Sequence, residues 1–375
     1  MSQYVRLATR LDKPLAARLG SLVIELTERC DNNCIHCSIN LPQGDSIALA
    51  REMTTQQVKD VLVQAAGLGC LRVRLTGGEP LLRPDFPDIY LFARRLGMKV
   101  CIFTNARRIT EGLAELLANV PPLIPLEVSV YGMRQESYEA VSRAPGSYAE
   151  FRRGVALLLQ FNVPFIVKGA LLPPNRTEVE EFEGWAATIP WMKRRPAYSM
   201  CFGLRERRDC QTKNRQIAAL RVAPKEVVRV MARDPDAYRA FMVQFAAKFL
   251  APADDRLFTC TGIHGLSIDA YGRAQPCMGV RAPELTVDVL EGCLLDALNR
   301  FARYSELRAM NLDYLSRCAV CSIKGLCEQC PAKSWTEHGA LDRPVEYSCE
   351  VAHAQARWLG WLGEHECGWN TCTDS

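Results

Sequence analysis

Short runs that favour β-strands alternate with amphipathic helical stretches over residues 21–200, and this alternation restricts the fold more than any other feature of the sequence. Strand, helix and strand units of this size require parallel pairing with right-handed crossovers. We therefore predict an α/β fold, a partial (β/α)6 barrel rather than a closed barrel of eight units. The predicted strands are 22–27, 71–76, 99–104, 126–131, 164–171 and 197–202.

One helix of this region has a marked beginning. Thr54 and Gln57 form a capping box, and Met53 is placed to pack against Val58 as a hydrophobic staple. An apolar face follows over residues 58–65. We therefore predict a helix directly after Thr54.

The composition is that of an ordinary globular protein. The chain has 375 residues, 48% of them hydrophobic, and its net charge of +4 is well short of the polybasic character of nucleic-acid binders. Basic residues interrupt segment 1–26, which lacks the apolar core of a signal peptide, and no segment reaches the roughly 20 apolar residues of a membrane span. We predict a cytoplasmic protein without nucleic-acid or membrane partners.

Seventeen cysteines are far more than an average cytoplasmic chain contains. In a reducing compartment, clustered cysteines bind metal more often than they form disulfides. The chain becomes cysteine-rich from Cys260 onward. We expect an N-terminal extension (1–20), the barrel (21–223), a helical bridge (224–259) and a small cysteine-rich domain with a tail (260–375).

Residues 191–223 form a basic and irregular segment between the barrel and the helical bridge. It is either a solvated linker or an electropositive rim for an acidic substrate or leader peptide. Its basic residues are Lys193, Arg194, Arg195, Arg205, Arg207, Arg208, Lys213 and Arg215.

Three cysteines, Cys30, Cys34 and Cys37, lie within eight residues directly after the first predicted strand. A structural zinc site requires four ligands, and this segment supplies three without a companion pair nearby. A 4Fe-4S cluster held by three cysteines instead leaves one iron open for an outside ligand. His36 lies between two of the cysteines, and we expect its ring to pack beside the bound cofactor.

The spacing C-x3-C-x2-C at the end of a first barrel strand resembles the cluster loop of the radical S-adenosylmethionine (SAM) superfamily. The resemblance implies that these cysteines hold a 4Fe-4S cluster that binds SAM. It also implies reductive cleavage of SAM to a 5'-deoxyadenosyl radical, which removes a hydrogen atom from a substrate. A flavodoxin or ferredoxin would donate the electron.

Further motifs follow the next strands in the order that this superfamily requires. Gly77, Gly78 and Glu79 resemble its GGE motif, which binds the SAM amino group. Thr104-Asn105 is similar to its Thr-Asn-Gly element. Both motifs lie at the carboxyl ends of predicted parallel strands, where α/β sheets and barrels place their sites.

The fourth strand carries the last of these motifs. Ser129 and Arg143 correspond to positions that contact the SAM ribose and carboxylate, and an arginine can pair with a carboxylate through two hydrogen bonds. The chain departs from the family at Ala106, which stands where the Thr-Asn-Gly element has glycine.

The C-terminal cysteines have an ordered layout. Their central pattern, C-x2-C-x5-C-x2-C over 318–330, is compatible with a zinc knuckle. The whole layout resembles the SPASM extension of radical SAM enzymes, which binds auxiliary 4Fe-4S clusters. The family has three residues before the last cysteine of the pattern, whereas only Glu328 and Gln329 stand here.

The SPASM resemblance divides seven cysteines between two clusters. One cluster would be held by Cys318, Cys321, Cys327 and Cys349. The other would be held by Cys260, Cys277 and Cys330. Either Cys210 or Cys201 supplies its missing fourth ligand, or an open iron binds substrate.

The remaining cysteines fall into two groups. Three lie in apolar runs, and we expect small buried hydrophobes at Cys70, Cys101 and Cys293. Cys367 and Cys372 lie in the tail beside Trp369. Disorder is the default for a terminus, and the alternative is a contact with the active site or a partner.

Enzymes with this full extension mostly modify ribosomally made peptides, so the resemblance implies a peptide substrate. The alternatives are a radical SAM dehydrogenase or epimerase of a small molecule or protein side chain, and a non-catalytic iron-sulfur carrier or zinc adaptor. Met278 stands where sulfatase-maturating relatives have a catalytic aspartate, which disfavours that activity. A separate protein or the barrel mouth would bind a leader peptide, because the first strand begins within about 22 residues of Met1.

Overall fold

The computed structural model describes residues 19–247, 254–258, 265–327 and 330–369. Six strands form its centre, each parallel to the next along the chain. All six lie where the alternation predicts them, although the last has three residues instead of six. This sheet confirms the predicted α/β partial barrel. The strands are β1 Leu22–Thr27, β2 Arg72–Gly77, β3 Lys99–Thr104, β4 Leu126–Val130, β5 Phe165–Ala170 and β6 Ala197–Ser199.

Seven helices lie between the strands of this sheet within the described chain. Leu22, Ile24 and Leu26 of β1 are buried in the main core, because alternate residues of a strand point to the same face. The predicted capping box of Thr54 and Gln57 is present. The helices are α1 Ser46–Arg51, α2 Thr55–Gly67, α3 Phe86–Arg95, α4 Glu111–Asn119, α5 Gln135–Ser142, α6 Ser147–Gln160 and α7 Val179–Ala187.

The second half of the chain is mainly helical in the described residues. No described helix is long and apolar enough to cross a lipid bilayer. The helices are α8 Gln211–Ala219, α9 Pro224–Met231, α10 Pro235–Ala247, α11 Leu294–Ala302, α12 Leu312–Arg317, α13 Pro331–His338 and α14 Glu346–Leu359.

Three short strands from the cysteine-rich part extend the barrel sheet. β7 Leu266–Ile268 lies parallel to β1, and β8 Arg273–Gln275 and β9 Val287–Asp288 continue it as antiparallel neighbours. The order of the sheet is β9-β8-β7-β1-β2-β3-β4-β5-β6. The sheet is therefore open within the described residues, and segment 266–288 belongs to the same sheet as the barrel.

A buried arginine links this added segment to the barrel. The Arg281 side chain, 1% exposed, forms ion pairs with Glu25 of β1 and with Glu206, whose Oε2 lies 3.1 Å from its Nε. Its Nη1 lies 3.7 Å from Oδ2 of Asp269. Burial raises the pKa of Glu25 to about 7, and Arg281 opposes that rise. One guanidinium thus compensates carboxylates from three segments.

We expect Arg281→Met to lower the free energy of unfolding by about 3 to 5 kcal/mol, because it leaves buried carboxylates without their counter-charge. Arg308→Met is the control, since Arg308 is 61% exposed beside Asp255 and its ion pair is worth about 1 kcal/mol or less. Urea titrations of the cluster-free proteins measure both values. Equal losses in the two variants would contradict the role given to Arg281.

Two glycines bring the end of β2 against the end of β1. The Gly78 amide donates to the Thr27 carbonyl over 2.8 Å, and the Glu79 amide donates to the Arg29 carbonyl over 2.9 Å. A Cβ added to Gly77 would overlap the Thr27 carbonyl oxygen, and a Cβ on Gly78 would overlap that of Arg29. Gly77 also has a φ of +136°, which favours glycine. The absence of side chains at Gly77 and Gly78 therefore allows the ends of β1 and β2 to contact each other.

We expect Gly78→Ala to cost about 1 to 3 kcal/mol of stability, since the added methyl group must displace backbone. The matched control is Gly67→Ala at the end of α2, where an added Cβ meets nothing within 4 Å. Thermal and urea unfolding should separate the two variants. A Gly78→Ala protein as stable as Gly67→Ala would argue against the close backbone contact.

Candidate active site

The loop that carries Cys30, Cys34 and Cys37 begins at the end of β1. The short strand Arg29–Cys30 pairs with Leu41–Pro42 and brings both ends of the loop together. Two further backbone contacts join the loop to α5, with the amides of residues 33 and 35 donating to the carbonyls of residues 142 and 141 over 2.8 and 3.0 Å. On the other side, Nζ of Lys213 donates to the Cys34 carbonyl over 2.7 Å.

Burial controls the chemistry of the three thiols. It raises the pKa of Cys30 well above its ordinary value and that of Cys37 in the same direction. For Cys34, burial and then the neighbouring Cys37 raise the pKa to about 12. Thiolates in such surroundings require a positive partner such as iron.

The donor set fits a cluster better than a single metal ion. Among the described residues, no three His, Cys, Asp or Glu side chains converge as the ligands of one ion would. A 4Fe-4S cluster spreads its cysteines over different irons, so they need not meet at one point. Three thiols on one anchored loop, those of Cys30 and Cys34 buried and that of Cys37 half-buried, are therefore compatible with the predicted cluster.

Glu79 lies beside this loop and is fully enclosed by protein. Its Oε1 accepts from the Thr104 hydroxyl over 2.8 Å and from the Leu81 amide over 3.1 Å, and its Oε2 accepts from the Asn105 amide over 2.8 Å. Burial, followed by the nearby Asp31 carboxylate, raises the pKa of Glu79 to about 8. The side chain therefore joins the motif after β2 to the motif after β3.

Asn105 reaches the cysteine loop directly. Its Nδ2 donates to Oδ1 of Asp31 over 2.8 Å, and Asp31 stands next to Cys30 in the chain. The following residue, Ala106, has a φ of +63°. The chain thus keeps a backbone that favours glycine at the position where the resembling family has one.

Two arginines that the motif analysis missed complete this contact. Arg107 lies 3.6 Å from Asp31 and 2.6 Å from Glu150, and Nε of Arg108 donates to Asp31 over 2.9 Å. Arg107 also donates to the Asn32 side chain over 2.7 Å. In the sequence, only the acidic Asp31 between the cysteines and the basic pair Arg107-Arg108 indicated this ion pairing. Because the two segments are more than 70 residues apart, the sequence did not show that they meet.

His36 is a half-buried ring among aromatic side chains. Its ring centroid lies 5.8 Å from that of Tyr131 and 5.1 Å from that of Phe202. Burial, followed by the charge of Lys213, lowers the pKa of His36 to about 4. Its Nδ1 is buried without a hydrogen-bond partner in the described structure.

The two remaining predicted SAM contacts lie at different depths. Ser129 is half-buried near the end of β4, in register with Lys168 of β5. Arg143 is exposed and follows α5 with a φ of +51°, directly after the carbonyl that anchors the cysteine loop. The structure therefore places Arg143 beside the loop, while the roles of both residues toward SAM stay predictions.

The basic segment is not a solvated linker throughout. Arg205 is buried and pairs with the exposed Asp209, Arg207 pairs with Glu28 and Asp269, and Arg208 donates to the carbonyls of residues 335 and 336. Sequence analysis missed these partners because most of them lie far away along the chain. The segment instead links the cysteine loop to the C-terminal part, while exposed basic side chains remain at Lys193, Arg194, Arg195 and Arg215.

Four C-terminal cysteines share a second site. One cavity is lined by His353, Trp369 and all four cysteines that the SPASM resemblance assigns to one cluster, namely Cys318, Cys321, Cys327 and Cys349. Burial raises the pKa of each thiol, that of Cys318 to about 12 and that of Cys349 to about 11. Four thiols around one cavity, two of them buried and two half-buried, are the donor set of a fully ligated 4Fe-4S cluster.

The second predicted cluster is described only in part. Cys277 and Cys330 are half-buried against the main core, whereas Cys260 lies outside the described residues, as do Glu328, Gln329 and Cys372. Cys201 and Cys210 are both exposed. Cys201 lines a cavity with Cys327, and the fourth ligand of the second cluster stays a prediction.

Two of the three cysteines predicted to be buried are buried in the structure. Cys70 and Cys101 are buried as predicted, while Cys293 is half-buried at the start of α11. Cys367 is disulfide-bonded and half-buried. The neighbouring Trp369 packs against the four-cysteine site, so this part of the tail has a defined position.

Comparison with known proteins places residues 24–186 in the family described as "Radical SAM superfamily". The chain is 30% identical over 155 residues to an AdoMet-dependent heme synthase of Methanosarcina barkeri, covering 41% of this chain and 43% of that protein. It is 24% identical over 282 residues to a PqqA peptide cyclase of Rhizobium meliloti, covering 74% and 70%. The match thus spans less than half the length of the heme synthase.

A solved structure shares the fold over most of the chain. Native anSMEcpe with bound AdoMet and Cp18Cys peptide matches with a TM-score of 0.58 and 13% identity, covering 91% of this chain and 96% of that one. Together with the cysteine loop and the motifs at the strand ends, these matches identify the domain. Residues 24–186 form a radical SAM domain, whose cofactors are a 4Fe-4S cluster and S-adenosylmethionine.

Proposed function

We propose that this chain is a radical SAM enzyme that modifies a ribosomally made peptide. The observation that supports it best is the arrangement of three cysteines, two of them buried, on a loop that Glu79 and Asn105 hold against the strand ends. When bound, the cluster and SAM supply a radical that removes a hydrogen atom from the substrate.

The chain's own residues would bind and orient these groups. Cys30, Cys34 and Cys37 would hold the cluster, and the Gly78 and Glu79 turn would position the SAM amino group. Burial of Cys30 and Cys34 would limit the access of water to the cluster. The four-cysteine site would hold an auxiliary cluster that accepts the electron left when the substrate radical forms its new bond.

Two relatives favour a peptide as the substrate. The cyclase is named for a peptide, and the anSMEcpe structure contains one. The heme synthase favours a small molecule as the second candidate, but its match covers only 41% of this chain. A flavodoxin or ferredoxin would donate the electron, and a separate protein or the barrel mouth would bind the leader of the peptide.

We expect Cys34→Ala to abolish formation of 5'-deoxyadenosine under dithionite and to remove about four irons per chain. Cys327→Ala should remove a similar amount of iron but still release 5'-deoxyadenosine, because the SAM-binding cluster is intact. Cys293→Ala is the control for loss of a thiol outside both sites. Iron analysis and chromatography of the products measure the outcome, and SAM cleavage by Cys34→Ala would contradict the assignment.

Co-expression with a short reading frame encoded beside the gene tests the substrate. We expect the peptide to change mass in the presence of the wild-type chain and to stay unmodified with Cys34→Ala. Mass spectrometry detects the change. If SAM is cleaved while neighbouring peptides stay unchanged and a small molecule is consumed, the second candidate replaces the first.

A further inference from the structure

The C-terminal tail packs onto the four-cysteine site. Gly368 is buried, its amide donates to Nε2 of His353 over 3.0 Å, and its carbonyl accepts from the Ser322 amide over 2.7 Å. A Cβ added to Gly368 would lie 2.5 Å from Sγ of Cys321. The tail backbone therefore lies directly against the sulfur, in a space that admits no side chain.

Trp369 and His353 form a layer next to the cysteines. Their rings lie 5.1 Å apart at an angle of 78°, and the Arg317 guanidinium lies over the indole at 4.7 Å. Because Nε2 of His353 accepts a hydrogen bond from Gly368, the neutral ring carries its proton on Nδ1. That nitrogen lies 2.8 Å from the Cys349 carbonyl oxygen and 3.6 Å from its Sγ. The tail is thus connected to a cysteine of the site through one imidazole.

The preceding residues fix the tail to the helix that carries Cys349. Arg357 of α14 donates from Nε to the Glu364 carbonyl and from Nη2 to the Glu366 carbonyl, both over 2.8 Å. The position of Trp369 relative to the cysteines is therefore set by α14.

We propose that Gly368 and Trp369 are positioning residues that close the four-cysteine site and exclude water from its cluster. The inference rests on the proposed function, because it requires a cluster at this site. A cluster bound by four thiolates becomes more negative when reduced, and water stabilises that charge. Exclusion of water therefore keeps the reduction potential low, since solvent exposure is one of its determinants.

The test compares Trp369→Ala with Trp361→Ala, a matched control because Trp361 is 44% exposed in the segment just before the tail. Both changes are made in the full chain with Cys30, Cys34 and Cys37 replaced by alanine, which removes the signal of the SAM-binding cluster. The signal that Cys327→Ala abolishes identifies the four-cysteine cluster. Anaerobic redox titration followed by electron paramagnetic resonance measures its potential, and iron-sulfur absorbance in air measures its lifetime.

We expect Trp369→Ala to shift the potential to a more positive value and to shorten the lifetime in air several-fold, with Trp361→Ala unchanged. Gly368→Ala keeps the Trp369 indole and should change the potential and the lifetime in the same directions. Circular dichroism checks that each variant is folded. Equal potentials and lifetimes in all variants, or zinc at this site, would overturn the proposal. In the chain with its SAM-binding cluster, Trp369→Ala should still release 5'-deoxyadenosine. If the wild-type chain modifies no peptide, the proposed function is contradicted. The comparison of potentials and lifetimes at the four-cysteine site stays valid in that case.

Discussion

The backbone hydrogen bonds between the carboxyl ends of β1 and β2 hold the candidate site together. They run from the amides of Gly78 and Glu79 to the carbonyls of Thr27 and Arg29. The cysteine loop therefore begins next to Glu79. Glu79 in turn accepts hydrogen bonds from residues at the end of β3. Three strand ends are thereby connected through one turn that only glycine can form.

Around this centre, buried charges are compensated by partners from distant parts of the chain. Asp31 of the cysteine loop meets Arg107 and Arg108, and Arg281 meets carboxylates from the barrel and from the basic segment. Each such pair is costly to break because its partner would stay buried and charged. The contacts therefore favour one arrangement of the loop, the barrel and the C-terminal part.

The two cysteine sites are built differently. The three-cysteine loop is a single segment anchored by backbone hydrogen bonds, whereas the four-cysteine site collects thiols from α14 and from the chain between α12 and α13. A single loop with three ligands would leave one iron of a cluster open, while the second site supplies four thiols and is lined by His353 and Trp369. This difference is the one expected from the proposed catalytic role of the first site and the proposed electron-transfer role of the second.

The sequence by itself determined the six parallel strands, the start of α2 and the grouping of Cys30, Cys34 and Cys37, because strand periodicity, capping and cysteine spacing are local properties. The grouping of Cys349 with Cys318, Cys321 and Cys327 was implied only by the resemblance to the SPASM extension. Only the tertiary structure decided that β7 joins β1, that Arg207 pairs with Glu28 and Asp269, and that Trp369 covers the four cysteines. Strands of two or three residues have no recognisable alternation, and the partners of a buried charge depend on which distant segments the fold brings together. For the same reason, only the tertiary structure showed that Gly77 and Gly78 allow two strand ends to approach each other closely.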